Sequence, residues 1–166
     1  MVARTFIGFM LLLVTAQTGT LTFSKPASWR ERPASSSMRV AEFVVPRVAG
    51  DSEDGELIVY YFGGSGGSVE ANLERWTKQF QTTKEPVRTT SSVNGLKLTS
   101  LSVGGTYIAE VRPGASERHN KPGFQMRAAV VETPKGPYFI KLTGPSATID
   151  KAGPAFDQFL KSLAFK

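Results

Sequence analysis

The residues that most suggest chemistry form a G-x-S-x-G pattern at residues 63–67, between a strand-like run and a helix-like run. In serine hydrolases this pattern places a nucleophilic serine, here Ser65, on a sharp turn between a strand and a helix. A carboxylate, Glu110 or Glu117, also precedes the only histidine, His119, so the chain order of serine, acid and base is available. A serine hydrolase using Ser65 is therefore one candidate function.

Three features of the surrounding sequence oppose this hydrolase. Gly66 and Gly67 separate the serine from the helix, which should begin almost directly after it. The preceding strand belongs to a predicted hairpin, whereas the nucleophile turn of these hydrolases lies in a parallel sheet. His119 lies in the polar run ERHNKPG, where no neighbouring group orients its ring. We therefore predict that the protein is not an enzyme, and we keep the hydrolase as the alternative.

The glycine-rich loop can instead serve binding. It matches neither the P-loop nor the dinucleotide-binding pattern, but free N–H groups at the start of the following helix can hold a carboxylate or a sulfate. On that helix Asn72 and Arg75 form a polar stripe with Gln79, and such a stripe alternatively hydrogen-bonds neighbouring loop backbone. Mobile loops on a rigid sheet often carry recognition. The predicted binding surface, beside the loop ERHNKPG, consists of Gly64, Ser65, Gly66, Gly67, Ser68, Asn72 and Arg75.

Composition limits the ligands and partners of this surface. One histidine and no cysteine give no usual zinc-ligand spacing, and the acidic run after Asp51 does not match a calcium loop, so we predict no metal and no cofactor. The net charge is +6, but the basic residues are spread along the chain, so we expect no nucleic-acid partner. The predicted partner is another envelope protein or a small ligand. Contact with an anionic membrane surface or wall polymer is the alternative.

The first 16 residues have the features of a secretory signal peptide. Arg4 precedes the apolar run FIGFMLLLV, which is too short to span a membrane, and Ala16 fits the cleavage pattern. Residues 17–166 then remain, enough for a single domain with its own core. Because there is no cysteine, disulfides cannot stabilise this domain, which is common in exported bacterial proteins. We predict a periplasmic or secreted bacterial protein.

The hydropathy pattern predicts an α+β fold, with a mainly antiparallel β-sheet flanked by amphipathic helices in α/β/α layers. Alternating runs at residues 38–46 and 56–62 predict a hairpin, and more hairpin strands follow residue 96. The polar run TTKEPVRTTSSVNG, residues 82–95, predicts a loop or a hairpin corner.

Two apolar stripes predict the helices. The first helix is capped by Ser68, and the second ends the chain and contains Pro154, which either follows a capping glycine or kinks the helix. The stripes consist of Val69, Leu73, Trp76 and Phe80 in the first helix, and of Ala152, Phe156, Phe159 and Leu163 in the second.

Three groups of motif residues occur in a characteristic order along residues 20–165. They are Pro26 and Trp29; then Asn72, Arg75, Trp76, Gln79 and Phe80 after the glycine loop; then Tyr138, Phe139, Leu142, Thr143, Gly144 and Pro145, followed by Phe156, Phe159, Ser162 and Leu163. This order resembles the PsbP-like superfamily, which includes photosystem II proteins, a nuclear-import factor and exported bacterial proteins. The resemblance implies an antiparallel sheet between helical layers, and a binding or assembly role without catalysis.

Overall fold

The computed structural model describes residues 19–166, and the predicted signal peptide, residues 1–16, lies outside the described residues. The described part holds ten strands and two helices. In chain order they are β1 (Leu21–Thr22), β2 (Arg30–Arg32), β3 (Arg39–Val45), β4 (Gly55–Tyr61), α1 (Val69–Thr77), β5 (Phe80–Thr82), β6 (Val87–Val93), β7 (Leu96–Tyr107), β8 (Lys121–Thr133), β9 (Gly136–Pro145), α2 (Ser146–Lys161) and β10 (Ala164–Phe165). Neither helix is long and apolar enough to cross a membrane.

The main sheet is open and antiparallel in every pairing, which confirms the predicted sheet type. Its order is β2-β3-β4-β9-β8-β7, and the outer edge of β7 pairs with β6 along one half and with β5 along the other. Strands β8 and β9 form the longest hairpin, as their sequence predicts. The short strands β1 and β10 form a separate two-stranded sheet.

Two hydrophobic clusters lie on opposite faces of the main sheet. Alternate residues of a strand point to opposite faces, so in β9 Ile140 belongs to one cluster and Phe139 to the other. Helix α2 packs Phe156 and Phe159 into the first cluster, on what we name the α2 face. Helix α1 packs Trp76 and its neighbours into the second, on the α1 face. The α1 helix has nine residues, and the sheet at β3 and β4 stays uncovered beside it.

Helix α1 ends before the predicted stripe does. Its start is as predicted, because the Ser68 hydroxyl accepts a 3.2 Å hydrogen bond from the Ala71 N–H. Its last residue is Thr77, and Phe80 instead begins β5, opposite Tyr107 of β7. Phe80 still packs in the same cluster as Trp76, so the apolar stripe correctly predicted that Phe80 is buried. Its prediction that the helix extends to Phe80 was wrong.

The polar run at residues 82–95 is mostly strand. Residues 87–93 form β6, which pairs with β7 through a turn at Asn94 and Gly95, both with positive φ. Almost all of β6 is exposed, so its sequence carries no hydrophobic alternation. The predicted hairpin corner at its end is confirmed. The strand itself was not predicted, because an exposed edge strand buries little apolar surface and shows no hydrophobic alternation.

Candidate anion-binding site

A cleft of about 970 Å³ opens on the uncovered part of the α1 face. Its floor is formed by β3, β4 and β9, and its first wall by the C-terminal end of α1 with Lys78 and Gln79. The second wall is the segment from Tyr107 to Lys121. We refer to this space as the cleft.

The second wall is a short hairpin-like segment. The Val111 N–H donates to the Glu117 carbonyl at 3.1 Å, and the His119 N–H donates to the Ala109 carbonyl at 2.8 Å. At its base the Lys121 ammonium contacts the Glu53 carboxylate at 2.5 Å, which joins the segment to the loop between β3 and β4. Hydrogen bonds within the segment and an ion pair at Lys121 therefore hold the loop that was predicted to be mobile.

One row of residues crosses the cleft floor. Glu42 of β3 lies opposite Ile58 of β4, Ile58 lies opposite Lys141 of β9, and Lys141 lies opposite Ala128 of β8. Ile58 and Ala128 are buried and apolar. Lys141 is therefore flanked on both sides by apolar side chains. Glu42 lies in the same row two strands away, about 10 Å from Lys141 at the usual strand spacing.

Lys141 is the most unusual residue of the cleft. Its ammonium donates a 2.9 Å hydrogen bond to Oε1 of Gln79 and lies 5.9 Å from the centre of the Trp76 ring. Among residues 19–166 it makes no ion pair with a carboxylate. Burial, and then the positive charges of Arg75 and Arg39, lower the pKa of Lys141 to about 8. The protein therefore holds a poorly compensated cation at the centre of an open cleft.

The nearest buried carboxylate is already occupied. Glu42 is 1% exposed and accepts hydrogen bonds from the Ser35 N–H at 2.6 Å and the Ser35 hydroxyl at 2.7 Å. Arg32 and Arg39 contact the same carboxylate at 2.9 and 3.2 Å. Burial alone would raise the pKa of Glu42, but the bonds from Ser35 and Arg32, with the charge of Arg39, lower it to about 2. Glu42 stays ionised and is committed to these partners.

The lining of the cleft is positively charged overall. Eight cationic side chains line it, against four carboxylates. Four of the cations make ion pairs with carboxylates; within the described chain the other four, which make none, are Arg75, Lys78, Arg112 and Lys141. A concave surface with an excess of positive charge concentrates anions, so the cleft favours an anionic ligand.

Aromatic rings form the apolar part of the lining. Tyr107 stacks on His119 with ring centres 5.3 Å apart and lies 6.3 Å from the Phe124 ring. Arg39 lies over the Tyr60 ring at 5.6 Å. Burial raises the pKa of Tyr60, and it raises the pKa of Tyr107 to about 12, so both phenols stay neutral at physiological pH. The cleft thus offers aromatic surface next to positive charge.

The predicted binding residues separate into two places. Arg75 lines the cleft, whereas the other six lie outside its lining. The glycine loop is a packed corner: a Cβ at Gly66 would lie 2.3 Å from the Phe139 ring, and one at Gly136, where φ is +108°, would lie 2.7 Å from the Gly64 Cα. The corner therefore needs glycine for close approach to the hairpin of β8 and β9.

Asn72 connects this corner to the cleft. It is 1% exposed, and its amide nitrogen donates to the Gly66 carbonyl at 2.8 Å and the Ser68 carbonyl at 2.9 Å. Its Oδ1 accepts a hydrogen bond from Arg75. Asn72 therefore has the role that was considered as the alternative for the polar stripe, because it hydrogen-bonds loop backbone. Through its bond to Arg75 it also positions Arg75 at the cleft.

Ser65 and His119 lie at opposite ends of β8. The glycine loop contacts the turn that follows β8, and His119 precedes the first residue of that strand. Thirteen residues of extended chain span roughly 40 Å. The loop ERHNKPG therefore lines the cleft, as Arg75 does, and does not lie beside the glycine loop, so Ser65 and His119 are not brought together.

Lys141 is the site residue that sequence reasoning missed. It was one basic residue among many, but it occurs in the run YFIKLTG, where every neighbour suits a buried strand. A single lysine in an otherwise buried strand is uncommon because burying its charge is costly. That signal was available in the sequence. In the described chain no group of three histidine, aspartate or glutamate side chains is placed to hold a metal.

Comparisons with known proteins concern the fold. No protein-family model matches the sequence, and no curated protein gives a significant match. PA94, a protein of unknown function from Pseudomonas aeruginosa described as a candidate regulator, has a TM-score of 0.52 at 18% identity, covering 87% of this chain and 96% of its own. LpqN of Mycobacterium tuberculosis, involved in cell envelope biogenesis, has a TM-score of 0.58 at 11% identity, covering 90% and 84%. The chain therefore shares its fold with bacterial proteins, one of which is involved in cell envelope biogenesis.

Proposed function

We propose that this chain is an exported, non-enzymatic binding protein of the bacterial envelope, and that its cleft binds the anionic group of a ligand beside Lys141. The ligand class is a carboxylate or phosphate attached to an aromatic or other flat apolar group. The observation that carries the proposal is the Lys141 ammonium, which has an amide and no carboxylate as its partner.

An anion would complete the contacts that Lys141 lacks. The positive charges of Arg75 and Arg39 repel the Lys141 ammonium. A bound carboxylate or phosphate would offset this repulsion and would also accept hydrogen bonds. Arginine is suited to such ligands because its planar group can donate two parallel hydrogen bonds. A half-buried cation without a counter-ion costs stability, so its presence favours a functional role over a structural one.

The envelope assignment rests on the sequence and on the fold. The signal-peptide pattern of residues 1–16 supports export, and LpqN supports an envelope role by its shared fold. We also infer a PsbP-like fold for residues 17–166. Its motif residues support this inference, because Trp29, Trp76, Phe80, Phe156, Phe159 and Leu163 all lie in the core.

Calorimetric titration with benzoate and with its neutral analogue benzamide tests the proposal. We expect benzoate to bind and benzamide to bind at least about tenfold more weakly, because only benzoate supplies the charge. Lys141→Met and Arg75→Gln should each weaken benzoate binding by about tenfold or more. Equal affinity for benzoate and benzamide contradicts an anion site.

Lys97→Met is the matched control. It removes the same charge from an exposed lysine that pairs with Glu132 and lies outside the cleft. Vesicles with and without phosphatidylglycerol distinguish a lipid headgroup from a soluble anion as the source of the charge. If Lys141→Met weakens binding to anionic vesicles and Lys97→Met does not, the lipid occupies the cleft. If both variants bind these vesicles equally, general attraction to an anionic surface replaces the cleft as the function.

A further inference from the structure

We propose that Lys141 also captures ligands covalently: its amine condenses with an aldehyde or ketone that carries a carboxylate or phosphate, and a Schiff base forms on the cleft floor. The inference rests on the proposed function, because the anionic group of such a ligand would occupy the same positive cleft. It names the ligand class further, as anionic carbonyl compounds.

The surroundings of Lys141 favour the neutral amine. Ile58 and Ala128 lie opposite it on the neighbouring strands, and the Trp76 ring lies against its ammonium. Ile58 and Ala128 are apolar and cannot pair with a positive charge. The Trp76 ring offers the ammonium only the attraction of its π face and no counter-ion. Gln79 accepts one hydrogen bond and leaves the nitrogen lone pair of the neutral form free for attack.

The charges around the amine act in the same direction. Arg75 from α1 and Arg39 from β3 repel a proton at Lys141, and together with burial they lower its pKa to about 8. The floor carries two carboxylates: Glu42, which Ser35 and two arginines occupy, and Glu56, which pairs with Arg32. Its phenol, Tyr60, stays neutral. A lysine desolvated beside other cations is the environment in which lysines act as nucleophiles toward carbonyls.

The condensation is balanced without any redox partner. The amine lone pair attacks the carbonyl carbon, a C–N bond forms, and the electrons of the C=O double bond move to oxygen, which takes up a proton. The resulting carbinolamine loses its hydroxyl group as water while the nitrogen loses its proton, and the C=N bond remains. Arg75, which makes no ion pair within the described chain, would hold the carboxylate or phosphate of the same ligand. The cleft volume of about 970 Å³ leaves room for the rest of the molecule.

The test is reductive trapping of the intact protein with glyoxylate, which carries an aldehyde and a carboxylate, and cyanoborohydride at pH 8. Peptide mass spectrometry then gives the labelling rate of each lysine. We expect Lys141 to be labelled at least about tenfold faster than the exposed Lys97 of the same molecule, because burial and the two neighbouring arginines lower the pKa of Lys141 and so favour its neutral amine. Labelling of Lys141 at or below the rate of Lys97 overturns the proposal.

Two further comparisons separate the chemistry from simple accessibility. Gln79→Glu keeps the size of the partner but supplies a carboxylate, so labelling of Lys141 should slow by about tenfold or more. For each aldehyde, the rate of labelling at Lys141 is divided by the rate at Lys97. In the unaltered protein this ratio should be higher for glyoxylate than for acetaldehyde, which has no carboxylate. Arg75→Gln should reduce this preference for glyoxylate. An unchanged preference in Arg75→Gln contradicts the assigned role of the arginine.

Failure of this inference and failure of the proposed function have different signatures. Benzoate binding with slow labelling of Lys141 removes only the covalent step. Fast labelling of Lys141 without benzoate binding supports a reactive lysine and contradicts the proposed anion site.

Discussion

Lys141 Nζ lies 2.9 Å from Oε1 of Gln79, so the central cation of the cleft is bonded to a neutral amide where a carboxylate would be the usual partner. Gln79 comes from the first residues after α1, and Lys141 comes from β9. The end of the helix therefore fixes the position of the lysine without neutralising it. The proposed binding function depends on this uncompensated charge.

Replacing Gln79 with glutamate tests that relationship. Gln79→Glu should form an ion pair with Lys141, raise the pKa of Lys141 and lower benzoate affinity by about tenfold at pH 7, because the new carboxylate competes with the ligand. Calorimetry gives the affinity, and NMR titration of the lysine side chain gives the pKa. Gln79→Met serves as the control without a new charge; if it lowers affinity as much as Gln79→Glu does, competition by the carboxylate is not the cause.

Removing the Lys141 charge should stabilise the protein while it weakens binding. We expect Lys141→Met to raise the free energy of unfolding at pH 7 by about 1–3 kcal/mol, since a half-buried charge without an ion-pair partner is replaced by an apolar side chain. Because the folded-state pKa of about 8 lies below the ordinary value of 10.5, the stability of the unaltered protein should rise from pH 8 to 10.5. Urea denaturation measures both effects. A clear loss of stability in Lys141→Met shows instead a structural role for the lysine.

Glu42 should control stability in acid. Its carboxylate binds Ser35, Arg32 and Arg39, and its pKa is about 2 in the folded protein against 4.5 ordinarily, so its contribution is present above pH 5 and is lost as the pH falls toward 2. Glu42→Gln should cost about 3 kcal/mol at pH 7 and flatten the loss of stability over that window. Denaturant titrations at pH 7, 4 and 2.5 check this. Parallel acid profiles for the two proteins contradict it.

Asn72 should matter for both the corner and the cleft. Asn72→Ala removes the side-chain donor of the Gly66 carbonyl, leaves the Ser68 carbonyl with only a backbone donor and releases Arg75, so we expect a loss of about 1–3 kcal/mol in stability and weaker benzoate binding. Ser65→Ala, at an exposed position of the same corner, should change stability by less than about 0.5 kcal/mol and leave binding unchanged. A large effect of Ser65→Ala on binding would restore the glycine loop as the site.

Elements with strong local signals were predictable from the sequence. The hairpin of β8 and β9, the Ser68 cap and the burial of Trp29 against Phe43 and Phe159 follow from alternation, capping chemistry and aromatic content. Strand β6 was not predictable in the same way, because its Thr and Ser residues face solvent along an edge. Helix α2 continues through Pro154, which leaves one carbonyl without its usual donor, and packing of its apolar face outweighs that loss.

The cleft itself depends on tertiary structure. Its residues come from β3, β4, β9, the end of α1 and the segment before β8, which are far apart in the sequence. Arg75 was predicted from its helix stripe, whereas Lys141 gains its character only when Ile58, Ala128 and Trp76 surround it. The glycine run is conspicuous in the sequence because glycines lose much conformational entropy on folding. The reason for the glycines is tertiary: they pack closely against Phe139 and Gly136.

The pH dependence of benzoate affinity tests the central claim most directly. Between pH 7 and 10 Glu42 stays ionised and Tyr107 stays neutral for most of the range, so Lys141, with its pKa of about 8, is the cleft group whose charge should change most. The affinity of the unaltered protein should be constant below pH 7.5 and fall by roughly tenfold per pH unit above 8, and the weak affinity of Lys141→Met should not show this fall. An affinity in the unaltered protein that stays constant from pH 7 to 10, or that falls equally in Lys141→Met, would contradict anion binding at Lys141.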